Sequence, residues 1–220
     1  MASVDVEVHI TPIFKRDLPN DTLTAKQLGL WEKVRLVSRK TDIKRQEVGQ
    51  IGDCSFVKDL FVRIDFDLEY FIASDFKTNI IDATNNTNTQ QANFWQNLLR
   101  KIKWHAEEHY EQFIKVIMDW EGDIKRDLVK TLPTDAKPTS ATETKIKEGI
   151  GILVSDWLVE LEFRLRKTAF DWEQEDYPNI EKQMTDGGVF LPQGLPRPPD
   201  PGKQAPKRRA VAFPPCKPGK

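Results

Sequence analysis

Two histidines four residues apart, in the segment His105-Ala106-Glu107-Glu108-His109, are the residues of this chain best suited to chemistry. Residues i and i+4 lie on one face of a helix, with Cβ atoms about 6 Å apart, so both imidazoles can bind one metal ion. The order His-x-x-Glu-His fits the inverted zincin pattern, in which zinc activates a water molecule and a carboxylate accepts the proton of that water. The segment therefore predicts His105 and His109 as zinc ligands and Glu108 as general base.

A catalytic zinc takes three protein ligands and leaves one position open for water. The only other histidine, His9, falls on the polar side of an alternating segment, where a solvated histidine is the expected outcome. An acidic residue is therefore expected as the third ligand, and we take Asp176 as the predicted one. The other acidic candidates are Glu121, Glu162, Glu173 and Glu175. In the alternative interpretation the histidines are core residues, hydrogen-bonded to polar neighbours.

Two long helices must position these side chains. From residue 89 to 128 apolar residues recur at intervals of three and four, which indicates one buried helical face. His105 and His109 continue that face between Ile102 and Phe113. A second helix is predicted from 144 to 174, with Pro178 ending the pattern.

A small sheet is expected to precede the helices. Residues 4–10 and 56–72 alternate between apolar and polar side chains, as half-buried strands do. Residues 31–38 resemble another strand, residues 39–50 a hairpin or surface loop, and Gly52-Asp53 a turn. The sequence therefore predicts an α+β fold, with a small antiparallel sheet packed on two helices in a single domain spanning residues 1–185.

Residues 186–220 are rich in proline and basic side chains, so a disordered or polyproline-like tail is predicted. Because Cys216 falls in this tail, a structural disulfide with Cys54 is not expected. The spacing of Pro196 and Pro199 suits an aromatic groove in a protein or peptide partner, although such spacings arise freely in a tail that serves only solubility.

Charge and hydropathy exclude several classes of protein. The basic residues of the tail leave the body acidic, which argues against binding to nucleic acid because phosphate contacts need a basic surface. No apolar run is long enough to span a bilayer. The first residues, Met1-Ala-Ser-Val-Asp-Val-Glu, lack the basic start and apolar region of a signal peptide. A cytoplasmic location is therefore predicted, unless another route exports the protein.

The order of Cys54, the long strand at 56–72, the pair Phe94-Trp95 and His105-Ala-Glu-Glu-His109 resembles a family of short bacterial secreted zinc-dependent proteases, the domain-of-unknown-function 922 group. The resemblance covers roughly residues 50–180. It implies a zincin-like fold, with the metal-binding pair at His105 and His109. The segment from Phe170 to Tyr177 falls where the family has an aromatic-Asp and Thr-x-His-Gly run.

The chain also departs from the family at positions that matter for catalysis. Ala106 stands where the family has its catalytic glutamate, and Tyr177-Pro178 stands where it has a terminal His-Gly. Two hypotheses follow. In one, the chain is a metal-dependent peptidase that uses Glu108 and an acidic ligand. In the other, it is a degenerate member that keeps the fold, has lost catalysis, and acts as a partner-binding or assembly protein through its surface and proline-rich tail.

Overall fold

The structure, a computed structural model, describes residues 3–14, 32–72, 89–186 and 200–216 of the 220-residue chain. In these ranges a three-stranded sheet is followed by two long helices, which agrees with the predicted α+β class. The elements are β1 (Ser3–Phe14), β2 (Glu32–Ile51), β3 (Cys54–Ile72), α1 (Thr89–Thr131) and α2 (Glu143–Asp186).

The sheet is mixed, with strand order β1-β3-β2. β2 runs antiparallel to β3, but β1 runs parallel to it, with Val6 opposite Val62. The prediction of a purely antiparallel sheet was therefore wrong. Alternation of apolar and polar residues shows which side of a strand is buried but carries no information on strand direction, because both ladder types place successive side chains on opposite faces.

The predicted hairpin or loop at residues 39–50 is instead the second half of β2, which pairs with β3 over nearly its whole length. Three register shifts interrupt this pairing, and they hide the alternation that would have indicated a strand. The turn predicted at Gly52-Asp53 is present, and Gly52 has a φ of 60°. A two-residue hairpin turn with glycine in the left-handed region at its first central position matches the twist of the strands it joins.

One face of the sheet packs on α1 and forms the centre of the core. Phe66 of β3 meets Trp120 of α1 edge to face, with ring centroids 6.2 Å apart. Trp120 also donates a hydrogen bond of 2.8 Å from Nε1 to the backbone oxygen of Trp157 on α2, so it joins the sheet and both helices. The other fully buried side chains of this region include Leu60, Val62, Ile64, Ile117, Ile124 and Leu128.

Both helices extend beyond their predicted ends. α1 continues through Gly122 to Thr131, and α2 continues through Pro178 to Asp186. Proline removes one backbone donor from a helix, but Ile180, beyond Pro178, is buried and gives the continuing helix an apolar contact. The side chains of Trp95, Leu98, Leu99 and Ile102, expected on the buried face of α1, lie outside the described residues.

Residues 200–216, here called the C-terminal arm, lie against the body of the protein. Cys216 forms a disulfide with Cys54, and Phe213 packs against the hydrophobic core. Backbone hydrogen bonds of 2.8 Å in both directions join Ser55 to Thr139, and Thr139 also donates from Oγ1 to Pro214 O. For these residues the predicted disordered tail was wrong, as was the expectation of no disulfide. Residues 187–199, which include Pro196 and Pro199, lie outside the described ranges.

Candidate functional site

His105 and His109 lie in the interface between α1 and α2, where their side chains are 1% and 5% exposed. Their rings meet edge to face with centroids 4.7 Å apart. The prediction that both imidazoles continue the buried face of α1 is confirmed. Spacing alone accounts for this, since a four-residue step on α1 returns each side chain to the same stripe.

Asp176 of α2 contacts His105 directly. The Nδ1 atom of His105 lies 2.7 Å from Oδ2 of Asp176, and Nζ of Lys101 lies 2.8 Å from Oδ1 of the same carboxylate. Asp176 itself is buried. The structure thus brings the predicted third ligand to the histidine pair, where it holds the Nδ1 side of His105. A carboxylate in this position fixes the orientation of an imidazole ring.

His109 has a different environment. Oε1 of Glu173, one turn before Asp176 on α2, lies 3.8 Å from Nε2 of His109. The Nδ1 atom of His109 is buried, and it has no hydrogen-bond partner in the described part of the chain. Glu173, which the sequence offered as an alternative third ligand, is therefore the carboxylate nearest to this second imidazole among the ion pairs of the site.

Aromatic rings enclose the two imidazoles. Trp172 stacks on His105 at a centroid distance of 5.7 Å, and Tyr177 lies 5.4 Å from the same ring. Phe113 meets His109 at 6.0 Å. These neighbours replace water around both rings, so the site combines apolar walls with a carboxylate pair from α2.

This burial dominates the electrostatics of the site. Desolvation lowers the pKa of His109 to about 3, and the neighbouring His105 acts in the same direction. Desolvation also lowers the pKa of His105, although the hydrogen bond that its Nδ1 donates to Asp176 opposes that shift. Both imidazoles are therefore neutral at pH 7, the form in which histidine binds metals.

The remaining candidate acids are placed elsewhere or make other contacts. Glu162 pairs with Arg39 of β2, with Nη1 and Oε1 2.6 Å apart. Glu175 is exposed, and burial raises the pKa of Glu121, which lies four turns beyond His105 on α1. Glu108, the predicted base, is half-buried, and the carboxylates that meet the histidines are those of Asp176 and Glu173 instead.

Within residues 3–14, 32–72, 89–186 and 200–216, no three His, Cys, Asp or Glu side chains are arranged so that they could hold a metal ion as they stand. A metal ion at the histidine pair would therefore require a change of side-chain rotamer. Glu173, whose Oε1 lies 3.8 Å from Nε2 of His109, is a candidate for such a movement.

Sequence reasoning missed Lys101 and Trp172. Lys101 lies four residues before His105, and Trp172 lies four residues before Asp176, so each shares a helical face with a residue that was predicted. Their position one helical turn before a predicted site residue is the sequence signal that could have assigned them to the site. Trp104 connects the two residues: Nζ of Lys101 lies 3.8 Å from the centroid of its ring, and the ring centroid of Trp172 lies 5.6 Å from it. This connection depends on the docking of the two helices and carries no sequence signal.

The chain matches no family model, and neither the curated proteins nor the solved structures include a significantly similar one. The expected relationship to secreted zinc-dependent proteases therefore stays a prediction. No helix in the described ranges combines the length and the apolar character that crossing a membrane requires.

Proposed function

We propose that His105 and His109 bind a divalent transition metal ion, with zinc as the first candidate, and that the protein is a distant zincin-like relative of the domain-of-unknown-function 922 proteases. The observation that carries this proposal is the contact of 2.7 Å between Asp176 and Nδ1 of His105. Histidines that bind metals typically donate their other ring nitrogen to a carboxylate, which fixes the tautomer. With Asp176 on Nδ1, the ring of His105 is oriented to present Nε2 to a metal.

The sequence predicted Asp176 as the third metal ligand. In this proposal Asp176 orients His105 instead, and Glu173 is the carboxylate ligand. Such a set of two imidazoles and one carboxylate is the donor set of many catalytic zinc sites.

Peptide hydrolysis is the reaction class that this donor set would serve. Zinc would supply polarisation of a carbonyl oxygen and a water of lowered pKa. Glu108, one residue before His109, would accept the proton of that water. Lys101, whose ammonium group lies 2.8 Å from Oδ1 of Asp176, would hold that carboxylate in place beside His105.

The test is the metal content of the purified protein by elemental analysis, after incubation with zinc and removal of the excess. We expect about one zinc per chain for the wild type, and loss of that zinc in His105→Ala/His109→Ala. His9→Ala is the matched control, because His9 is exposed on β1. Zinc retained by the double variant, or absent from the wild type, would contradict the proposal.

The second candidate is a non-catalytic protein that binds a protein or peptide partner. Ala106 favours it, because the family position for the catalytic glutamate carries no carboxylate here. In that case His105, Asp176 and Lys101 form a hydrogen-bonded network that holds α1 to α2. Full zinc binding by the wild type without cleavage of a general protease substrate would support this candidate over the peptidase.

The disulfide indicates the cellular compartment in which the protein works. We infer that the protein works where disulfides persist, which is outside the reducing cytoplasm for most organisms. The Cys54–Cys216 bond supports this over the cytoplasmic location predicted from the first residues, and it agrees with export by another route. Mass spectrometry of the alkylated protein, isolated from its native cells without reductant, tests it: two free thiols per chain would overturn it.

A further inference from the structure

The C-terminal arm crosses α2 in the direction opposite to that helix. Arg208 and Arg209 contact the helix near Trp157, Val211 and Phe213 contact it at Gly149, and Pro214 reaches Ser140 before the helix begins. Trp157 and Gly149 are eight positions apart, which is about 12 Å of helix. Six residues of the arm, from 208 to 213, span this distance in five steps, which reach about 17 Å at most, so the arm must be largely extended.

Arg208 lies in an acidic and aromatic setting. Its guanidinium carbon is 3.9 Å from the ring centroid of Trp157, a cation–π contact. Its Nη1 donates to Oδ2 of Asp127 at 2.9 Å, and its Nε lies 3.3 Å from Oε2 of Glu160. Nε1 of Trp157 donates to the same Asp127 oxygen at 2.8 Å, so the ring and the carboxylate are held in place by each other.

Arg209 is bound by a single carboxylate through three hydrogen bonds. Its Nε and Nη2 donate to Oδ1 of Asp156 at 2.9 and 2.5 Å, and its backbone nitrogen donates to Oδ2 at 2.5 Å. This contact holds the pKa of the Asp156 carboxyl below its usual range. Because one of the three donors is the backbone, the contact fixes the path of the arm as well as the side chain.

The apolar half of the arm depends on a glycine. A Cβ atom placed on Gly149 would lie 2.8 Å from Cζ of Phe213 and 3.0 Å from Cγ1 of Val211. At 2.8 Å the ring of Phe213 would have to shift, and at 3.0 Å Val211 would be crowded, so glycine lets these two side chains lie close against α2. The acidic site that binds the two arginines and the apolar site at Gly149 are about two helical turns apart, so the surface has a direction and a register.

We propose that this surface of Asp127, Asp156, Trp157, Glu160 and Gly149 is a peptide-docking groove for extended segments of the pattern Arg-Arg-x-Val-x-Phe. The arm is its resident ligand. A segment of the same chemistry from another polypeptide takes the groove when the arm leaves it, so the partner is a chain with two adjacent arginines followed by alternating apolar residues.

The energetics of the arm permit this exchange. The side chains of Arg208 and Arg209 are 37% and 60% exposed, and ion pairs of that exposure contribute little each. The arm stays in place because it is tethered to α2 at one end and to Cys54 at the other, which gives it a high effective concentration. A segment from another chain therefore competes successfully with the arm once Arg208 and Arg209 no longer make their contacts with the acidic residues of the groove.

The probe is a fluorescent peptide with the sequence of residues 204–215, and its binding is measured by anisotropy on the full-length chain. Arg208→Glu/Arg209→Glu opens the acidic half of the groove, while the disulfide, Val211 and Phe213 stay in place. We expect this variant to bind the peptide at least roughly tenfold more tightly than the wild type, whose groove is occupied. Val211→Asp/Phe213→Asp opens the apolar half independently, and it should bind more tightly than the wild type as well.

Two matched controls identify the groove. Adding Asp156→Lys to the open variant should abolish the gain, because Asp156 makes three hydrogen bonds to Arg209. A peptide with glutamate at both arginine positions should not bind the open variant. The proposal is overturned if both folded open variants bind the peptide no better than the wild type, or if the glutamate peptide binds equally well.

Discussion

At the scale of single residues, Asp176 is the side chain on which the proposed metal site depends most. It holds Nδ1 of His105 at 2.7 Å without being assigned as a ligand. We predict that Asp176→Asn lowers zinc affinity by about 10- to 100-fold, the usual effect of losing such an orienting carboxylate. Competition with a chromophoric chelator measures it.

The matched control for Asp176→Asn is Asp171→Asn, because Asp171 lies on the same helix and its side chain is 52% exposed beside Lys167. Zinc affinity should not change in that variant. If Asp171→Asn and Asp176→Asn weaken zinc binding equally, the effect is one of overall charge, and Asp176 does not orient His105.

The lowered pKa of His109 determines how the free energy of unfolding of the metal-free protein depends on pH. In the unfolded chain a histidine takes up a proton near pH 6.5, whereas folded His109 does so only near its pKa of about 3. Between these values the unfolded state binds more protons, so the free energy of unfolding falls as the pH falls. The contribution of His109 is about 1.4 kcal/mol per pH unit.

Urea unfolding between pH 7.5 and 4.5, with a chelator present, measures this dependence. His109→Gln should flatten the curve relative to the wild type, because glutamine does not titrate. His9→Gln, on the exposed face of β1, should leave the slope as it is. An unchanged slope in His109→Gln would show that this imidazole is not buried in its neutral form.

At the scale of elements, α1 is the helix that joins the sheet to α2. Ile124 is fully buried in the core, and Val129, on the same helix, is 53% exposed. We predict that Ile124→Ala lowers the free energy of unfolding by about 2–5 kcal/mol, through lost burial and a cavity. Val129→Ala should change it by less than about 0.5 kcal/mol. Similar losses of unfolding free energy in both variants would mean that Ile124 does not lie on the buried face of α1.

The elements also show what the sequence could predict. The buried face of α1 at His105, His109 and from Phe113 onward, and the alternation of β3 up to Leu68, were predicted correctly because both depend on local periodicity, which a buried face imposes on the sequence. The parallel direction of β1 could not be predicted, since it depends on the path of the chain between strands. The partner of His105 was among the candidate acids, but the choice between Asp176 and Glu173 as ligand depends on how α2 docks on α1.

At the scale of the whole molecule, the Cys54–Cys216 bond links the start of β3 to the end of the C-terminal arm. Sequence composition predicted disorder there because proline and charge dominate, and the few residues that hold the arm are too sparse to form a pattern. Those residues are Arg208, Arg209, Val211, Phe213 and Cys216. Long-range pairing of two cysteines is not encoded in local periodicity, so only the three-dimensional structure reveals it.

The disulfide closes a loop of 162 residues, so it restricts the unfolded chain strongly. We predict that Cys54→Ser/Cys216→Ser lowers the free energy of unfolding by about 2–5 kcal/mol, the usual cost of removing a native disulfide. Reductant should lower the stability of the wild type to the same level and leave the variant unchanged.

A second measurement locates the effect: trypsin should cleave after Arg208 or Arg209 sooner in the variant than in the wild type, because the arm loses one of its two tethers. Equal stability of variant and wild type without reductant would show that the disulfide does not constrain the unfolded chain, and slow cleavage in both would show that the groove alone retains the arm.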